Sequence, residues 1–176
     1  MYINKISLIF IGFFFIVSCN RSNSQIFSCF TDDNLLMNIS IAEEKLISNK
    51  FLVDNSPESY KKLFIRTITD YDLFKGDSFE ELKKIILPLN LSQDFSSKEV
   101  EACFIAATKQ NPNMSKILEA TSKIDEIRMS GNLPEGFTYE NFDMTQFMND
   151  KYKVTWFEGE ECKLIVLINI YQNIKS

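Results

Sequence analysis

The chain has no histidine, and it has only five glycines and four prolines among its 176 residues. Histidine is the usual general base of Ser and Cys nucleophiles and a common zinc ligand, so its absence argues against both kinds of site. The spacing of the four cysteines resembles no zinc motif. Without a glycine-rich loop to hold phosphate, the sequence predicts no catalytic residue, no metal and no cofactor.

Basic residues are the minority, with 19 Lys and Arg against 24 Asp and Glu and a net charge of −5. Binding to a phosphate backbone needs clustered lysine and arginine. The charge balance therefore predicts no nucleic acid partner.

The N-terminus begins with a short, weakly basic segment that ends at Lys5 and continues into an apolar run over residues 6–17. A membrane-spanning helix needs roughly 20 apolar residues, whereas a run of this length is typical of a signal peptide. The four residues Ile16-Val17-Ser18-Cys19 follow where such a run ends. They resemble the lipobox of bacterial lipoproteins, and the resemblance covers residues 1–19 only.

This resemblance implies that Cys19 receives lipid after cleavage of residues 1–18, so that the membrane is a partner through acyl chains on Cys19. Two or three acyl chains hold a protein on a bilayer, whereas one chain binds only marginally. An ordinary secretory signal and an uncleaved anchor helix are the alternatives. Asn20 stands where some lipoproteins carry an inner-membrane retention aspartate, and residues 21–25 contain no acid. We therefore expect an outer-membrane protein that faces the periplasm.

The polar residues after Cys19 predict a tether over residues 19–30, followed by one globular domain over residues 31–176. Cys29, Cys103 and Cys162 remain in a compartment where disulfides form. Cys103 lies on the apolar stripe of a predicted helix, which favours a buried free thiol. The expected disulfide is therefore Cys29 with Cys162.

Helical periodicity dominates the mature chain. It predicts a helix through Leu35–Leu46, one that begins at Ser56-Pro57, and one capped by Ser78 that stops at Pro88. Two further helices are predicted, one before Asn111-Pro112 and one that Gly131 ends, with a loop and a short helix over residues 132–150.

The pattern changes near the C-terminus. Residues 152–156 alternate between apolar and polar, residues 158–161 suit a turn, and residues 162–171 are rich in branched aliphatic side chains. These features predict a β-hairpin, with residues 50–53 as a third strand. The expected fold class is therefore α+β: a mainly helical single domain with a C-terminal antiparallel β-hairpin or small sheet.

Three functions are compatible with this pattern. The first is a non-catalytic, protein-binding or structural lipoprotein of the cell envelope. The second is an acidic periplasmic immunity protein that neutralises a basic toxin by charge complementarity. The third is a small carboxylate-based enzyme or carbohydrate binder that uses Glu135, Glu140 and Asp143 within the aromatic-rich segment around Phe137 and Phe147.

Overall fold

The computed structural model of the chain describes residues 26–30, 33–89, 91 and 98–175. The expected signal peptide and Cys19 lie outside these residues. The described residues contain seven α-helices: α1 (Leu35–Ser48), α2 (Pro57–Thr69), α3 (Gly76–Ile86), α4 (Lys98–Gln110), α5 (Pro112–Ser130), α6 (Met144–Lys151) and α7 (Glu160–Lys175). Short 3-10 turns lie at Phe27–Cys29, Tyr71–Phe74, Leu87–Leu89 and Val154–Phe157.

Local signals determine where several helices begin and end. The Ser59 amide donates a hydrogen bond to the Ser56 side chain, and Pro57 occupies the first turn of α2. Helix α5 ends at Gly131, whose φ of 68° lies in the left-handed region that glycine adopts without strain. Helix α3 begins at Gly76, two residues before the expected Ser78 cap. The predicted helices are thus present, with one start misplaced.

The predicted α+β class is wrong, because the described residues contain helices and no β-strand. Residues 152 and 153 precede the 3-10 turn Val154–Phe157, and residues 154–156 belong to it. Residues 162–171 lie within helix α7. Residues 50–53 form no strand, and Lys50, at the turn after α1, has a φ of 63°. The domain is therefore mainly helical.

Helix α7 explains this error. Its apolar run is buried on all sides of the helix: Cys162, Leu164, Ile165, Val166, Leu167, Ile168, Ile170 and Tyr171. A short, uniformly apolar run does not distinguish a buried strand from a buried helix, because neither shows a polar face. Glu160 and Glu161 in the first turn and Lys175 in the last turn complement the helix dipole, which favours the helix.

The other elements pack around α7. Helices α2, α3 and α5 and the turn Val154–Phe157 contact it directly, and α1 packs on α3. Helix α6 lies on α2, and α4 lies on α5 and on the turn Phe27–Cys29. Large side chains from several elements, including Tyr60, Phe64, Tyr152 and Phe157, are fully buried in this core.

A half-buried polar cluster ties α1, α2 and α7 together. The Lys163 ammonium lies 2.9 Å from a carboxylate oxygen of Glu43, and both side chains are less than 15% exposed. The Tyr60 hydroxyl donates to the same Glu43 oxygen at 3.0 Å. Leaving a charge at this depth without its partner costs several kcal/mol, so the three groups hold these helices in register.

The disulfide differs from the expected pair. Cys29 is bonded to Cys103, whereas Cys162 is a buried free thiol on α7. Cys103 was predicted to be free because it lies on the apolar stripe of α4, but that stripe faces the turn that contains Cys29. Ile26, Cys29 and Phe30 are buried, so these residues of the predicted tether over residues 19–30 belong to the core instead.

Among the helices in the described part of the chain, none combines the length and the apolar character needed to cross a membrane.

We predict that replacing either disulfide cysteine, by Cys29→Ser or Cys103→Ser, lowers the free energy of unfolding by about 4 kcal/mol, measured by urea unfolding. The bond closes a loop with a sequence separation of 74 residues and restricts the unfolded chain accordingly. The double variant Cys29→Ser/Cys103→Ser should lose no more free energy of unfolding than either single variant, because one bond is removed in all three proteins. Cys162→Ala is the control, with an expected cost of about 1 kcal/mol. A large loss in Cys162→Ala and none in Cys103→Ser would instead support the pair Cys29–Cys162.

Candidate binding cleft

A cavity with a volume of about 580 Å³ lies along one side of α5. Helix α5 contributes residues that recur at helical spacing and therefore share one face. The opposite wall comes from α6 and the turn Val154–Phe157. The lining residues are Lys116, Glu119, Ala120, Lys123, Ile124, Glu126, Ile127, Ser130, Asn132, Pro134, Phe147, Lys151 and Trp156.

Polar contacts fix the position of the second wall. The hydroxyls of Thr121 and Tyr152 share a hydrogen bond of 2.9 Å, which joins α5 to the residue after α6. The Asn113 side-chain amide donates to the Thr155 carbonyl at 3.1 Å, beside Trp156. The buried Lys61 ammonium donates to the Asn149 carbonyl at 3.0 Å near the end of α6. The cleft therefore lies between elements that are each anchored to the core.

The floor and walls of the cleft are mainly apolar. Ile124 is buried, whereas Ala120, Ile127, Phe147 and Trp156 are half-buried and accessible from the cleft. Pockets that bind small organic molecules have volumes of roughly 300–1,000 Å³ and are lined mostly by apolar and aromatic side chains. The cleft has the size and surface of such a pocket.

Charged side chains surround this apolar floor. Lys123 forms an ion pair with Glu119 at 2.8 Å, within α5. The Lys151 ammonium lies 5.3 Å from the centre of the Phe147 ring, within the range of a cation–π interaction. Lys116 and Glu126 complete the charged lining. The cleft thus carries three lysines against two glutamates, although the chain as a whole is acidic.

The aromatic-rich segment does not form the carboxylate site considered from the sequence. Phe137, Phe142 and Phe147 pack against one another, with ring centres 5.3–5.8 Å apart. The Asp143 side chain accepts a hydrogen bond from the Gln146 amide and caps α6. Glu135 and Glu140 are exposed, and neither they nor Asp143 line the cleft. Phe147 alone among these residues contributes to the cleft.

Side chains of α4, α5 and α7 line a second groove of about 380 Å³. Phe104, Ile105, Leu118, Ile165 and Ile168 give it an apolar lining. Ile105 and Leu118 are partly exposed there. This groove lies on another face of α5 than the cleft.

The most strongly shifted ionisable groups are buried in the core rather than in the cleft. Burial, with smaller effects from Glu161 and Glu158, raises the pKa of the Cys162 thiol to about 12. A thiol with this pKa is protonated at neutral pH and is a poor nucleophile. Burial also raises the pKa of Tyr152 to about 12. Burial followed by the charge of Glu43 raises the pKa of Tyr60 further above its ordinary value.

Lys163 behaves differently. Burial alone lowers the pKa of Lys163, but hydrogen bonds to Glu43 and Glu160 outweigh this effect and raise the pKa. Lys163 is therefore a charged member of an ion pair rather than a candidate base. Within residues 26–30, 33–89, 91 and 98–175, no three Cys, Asp or Glu side chains are grouped closely enough to hold a metal ion.

Comparisons of the chain with family models, with curated proteins and with solved structures found no match.

The sequence predicts a candidate site within residues 137–147 and gives no signal for the lining residues of α5. Lys116, Ala120, Lys123 and Ile127 are spaced by three or four residues, a pattern that also describes an ordinary solvent-facing helix surface. Only the folded position of α6 and Trp156 opposite this face makes it a cleft.

We predict that the free energy of unfolding falls as the pH rises above about 9. Cys162 and Tyr152 have ordinary pKa values of 9.0 and 10.0 and folded values near 12. The unfolded chain therefore loses protons first, and each group removes up to about 1.4 kcal/mol of stability per pH unit between its two pKa values. Urea unfolding at pH 8, 9, 10 and 11 measures this fall. Cys162→Ala should show a shallower decrease from pH 9 to 10, and an identical decrease in both proteins would contradict the assignment to Cys162.

Proposed function

We propose that the chain is a non-catalytic binding protein tethered to the bacterial envelope by lipid on Cys19, with the cleft beside α5 as its binding surface. The observation that carries this proposal is the cleft itself, an apolar cavity of about 580 Å³ open at the surface. Exposing apolar side chains in such a cavity has a free-energy cost, which occupation by a ligand removes.

The chemistry of the described residues supports binding rather than catalysis. The free thiol and the strongly shifted phenols are buried away from the cleft. Glu135 and Glu140, two of the carboxylates in the alternative enzyme hypothesis, are exposed, and the third, Asp143, caps a helix. In the cleft, Glu119 is paired with Lys123. The arrangement provides shape, apolar contact and charge, which are the requirements of recognition.

The tether rests on the Ile16-Val17-Ser18-Cys19 motif and on the polar residues that follow it. Under this proposal the domain is held close to a membrane, with the outer membrane and a periplasm-facing orientation as the expected location.

We predict that Cys19→Ala removes the anchor. The wild-type chain expressed in a bacterium should show a lipid-sized increase in intact mass and should partition into the detergent phase, because acyl chains hold it in the bilayer. The variant should lack this increment, and Cys162→Ala, a cysteine change outside the motif, should retain it. A wild-type chain without added lipid mass would contradict the anchor. That result would not bear on the cleft, which the next experiment tests.

We predict that the cleft binds an uncharged apolar probe, dodecan-1-ol. Trp156 is the only tryptophan of the chain and lines the cleft, so displacement of water from its ring should shift its emission to shorter wavelength in a saturable manner. Ala120→Phe should weaken this binding roughly tenfold or more, because the added ring fills the floor. The matched control is Ala106→Phe, which places the same ring on the exposed surface of α4.

This experiment separates the cleft from other apolar surfaces. Equal binding in wild type and Ala120→Phe, with both proteins folded by circular dichroism, would show that the probe binds elsewhere and would contradict the proposed binding surface. No emission change in the wild type would contradict it as well.

A further inference from the structure

We propose that the ligand of the cleft is an amphiphile with a single aliphatic chain and an anionic headgroup, the chemistry of a fatty acid. This inference rests on the proposed function, because it assigns a ligand class to the same cleft. It comes from three features of the lining: the lack of neutral polar groups on the floor, the length of the α5 face, and the position of the lysines.

The polar groups of the lining are too few for a polar ligand. Ser130 and Asn132 are the neutral polar side chains among the described lining residues, and both follow the apolar floor at one end of α5. A sugar or nucleoside would bury hydroxyl and amide groups that need hydrogen-bond partners, and each unsatisfied group costs roughly 1–3 kcal/mol. An extended peptide would bury its backbone groups in the same way. An alkyl chain has no such groups, so an apolar floor favours it.

The shape of the cleft also suits a chain. The lining face of α5 extends from Lys116 to Ser130, which corresponds to about 21 Å along the helix axis. Ala120, Ile124 and Ile127 lie between these two residues and form a continuous apolar strip. This strip covers about 10 Å of the face, and together with Phe147 and Trp156 it gives the cleft an apolar surface that accommodates an aliphatic chain along the helix.

The lysines place the headgroup. The hydrogen bond from Asn113 to the Thr155 carbonyl sets Trp156 beside the first turns of α5, near Lys116. The bond between Thr121 and Tyr152 brings the end of α6, which carries Lys151, to the middle of α5. Since Lys123 neutralises Glu119, Lys116 and Lys151 supply positive charge to this half of the cleft.

The remaining acid lies away from this charge. Glu126 follows Lys116 by ten positions on α5, about 15 Å along the axis and toward the Ser130 end. Among the lining side chains, an anionic headgroup between Lys116 and Lys151 therefore meets two lysines, whereas Glu126 lies farther along the helix. The same two lysines would repel a cationic headgroup. Charge complementarity thus selects an anion over a cation or a neutral alcohol.

The test uses the full chain in phosphatidylcholine vesicles, titrated with dodecanoate, dodecan-1-ol and dodecyltrimethylammonium while Trp156 emission is recorded. The double variant Lys116→Gln/Lys151→Gln should bind dodecanoate roughly tenfold more weakly, because two ion pairs are lost. It should bind dodecan-1-ol within about twofold of wild type and dodecyltrimethylammonium more tightly. Each probe partitions into the vesicles to the same extent with every protein, so this partition does not affect the ratio of a probe's apparent affinities for two proteins.

The matched control is Lys45→Gln/Lys109→Gln, which changes the net charge equally at exposed positions on α1 and α4. It should retain wild-type affinity for dodecanoate. Raising the salt concentration should reduce the advantage of dodecanoate over dodecan-1-ol in the wild type and leave the double variant unaffected.

Two results would overturn the inference. One is equal dodecanoate affinity in the wild type and in Lys116→Gln/Lys151→Gln, and the other is wild-type preference for the ammonium probe. If dodecan-1-ol still binds and Ala120→Phe still blocks it, the proposed binding function stands and the anionic ligand class fails. If no probe changes Trp156 emission, both fail together.

Discussion

The arrangement of the domain depends on a helix whose central part is apolar all the way round. Residues 164–168 of α7 are all buried, so this part of the helix has no face that can remain in water. Such a helix is stable only when other elements cover every side of it, because each exposed aliphatic side chain would forgo about 1.5–3 kcal/mol of burial. Helices α2, α3 and α5 and the turn Val154–Phe157 provide this cover. With one side of α5 directed to the core, another side is left to line the cleft.

The parts of this structure that the sequence predicts are those set by local chemistry. Ser56-Pro57 begins α2 and Gly131 ends α5, because capping and left-handed backbone are properties of a few neighbouring residues. The predicted C-terminal hairpin is wrong because residues 164–168 are apolar without interruption, and only the surrounding helices decide between a buried strand and a buried helix. The pair Cys29–Cys103 was missed for a related reason: it depends on how α4 meets the turn Phe27–Cys29, across 74 residues of chain.

The cleft was predictable only in part. Phe147 belongs to the aromatic-rich segment that the sequence singled out, and it does form one wall. The other aromatic rings of that segment pack on one another, which the sequence cannot distinguish from rings that line a site. The α5 face resembles an ordinary helix surface with an ion pair between Glu119 and Lys123. Its role depends on Trp156, whose position is fixed by the Asn113 to Thr155 contact between distant parts of the chain.

The start of the core connects the proposed anchor with the cleft. Ile26 is buried, and seven Cα-to-Cα steps separate it from Cys19, so the two residues lie at most about 25 Å apart. With lipid on Cys19, as proposed, the domain therefore stays within a few tens of ångströms of the bilayer. The disulfide adds a second link, since Cys29 is bonded to α4 and α4 packs directly on α5. Under the proposed anchor, the helix that lines the cleft is held near the membrane through this disulfide and the packing of α4 on α5. The bilayer is then the nearest source of the single-chain amphiphiles that the cleft is proposed to bind.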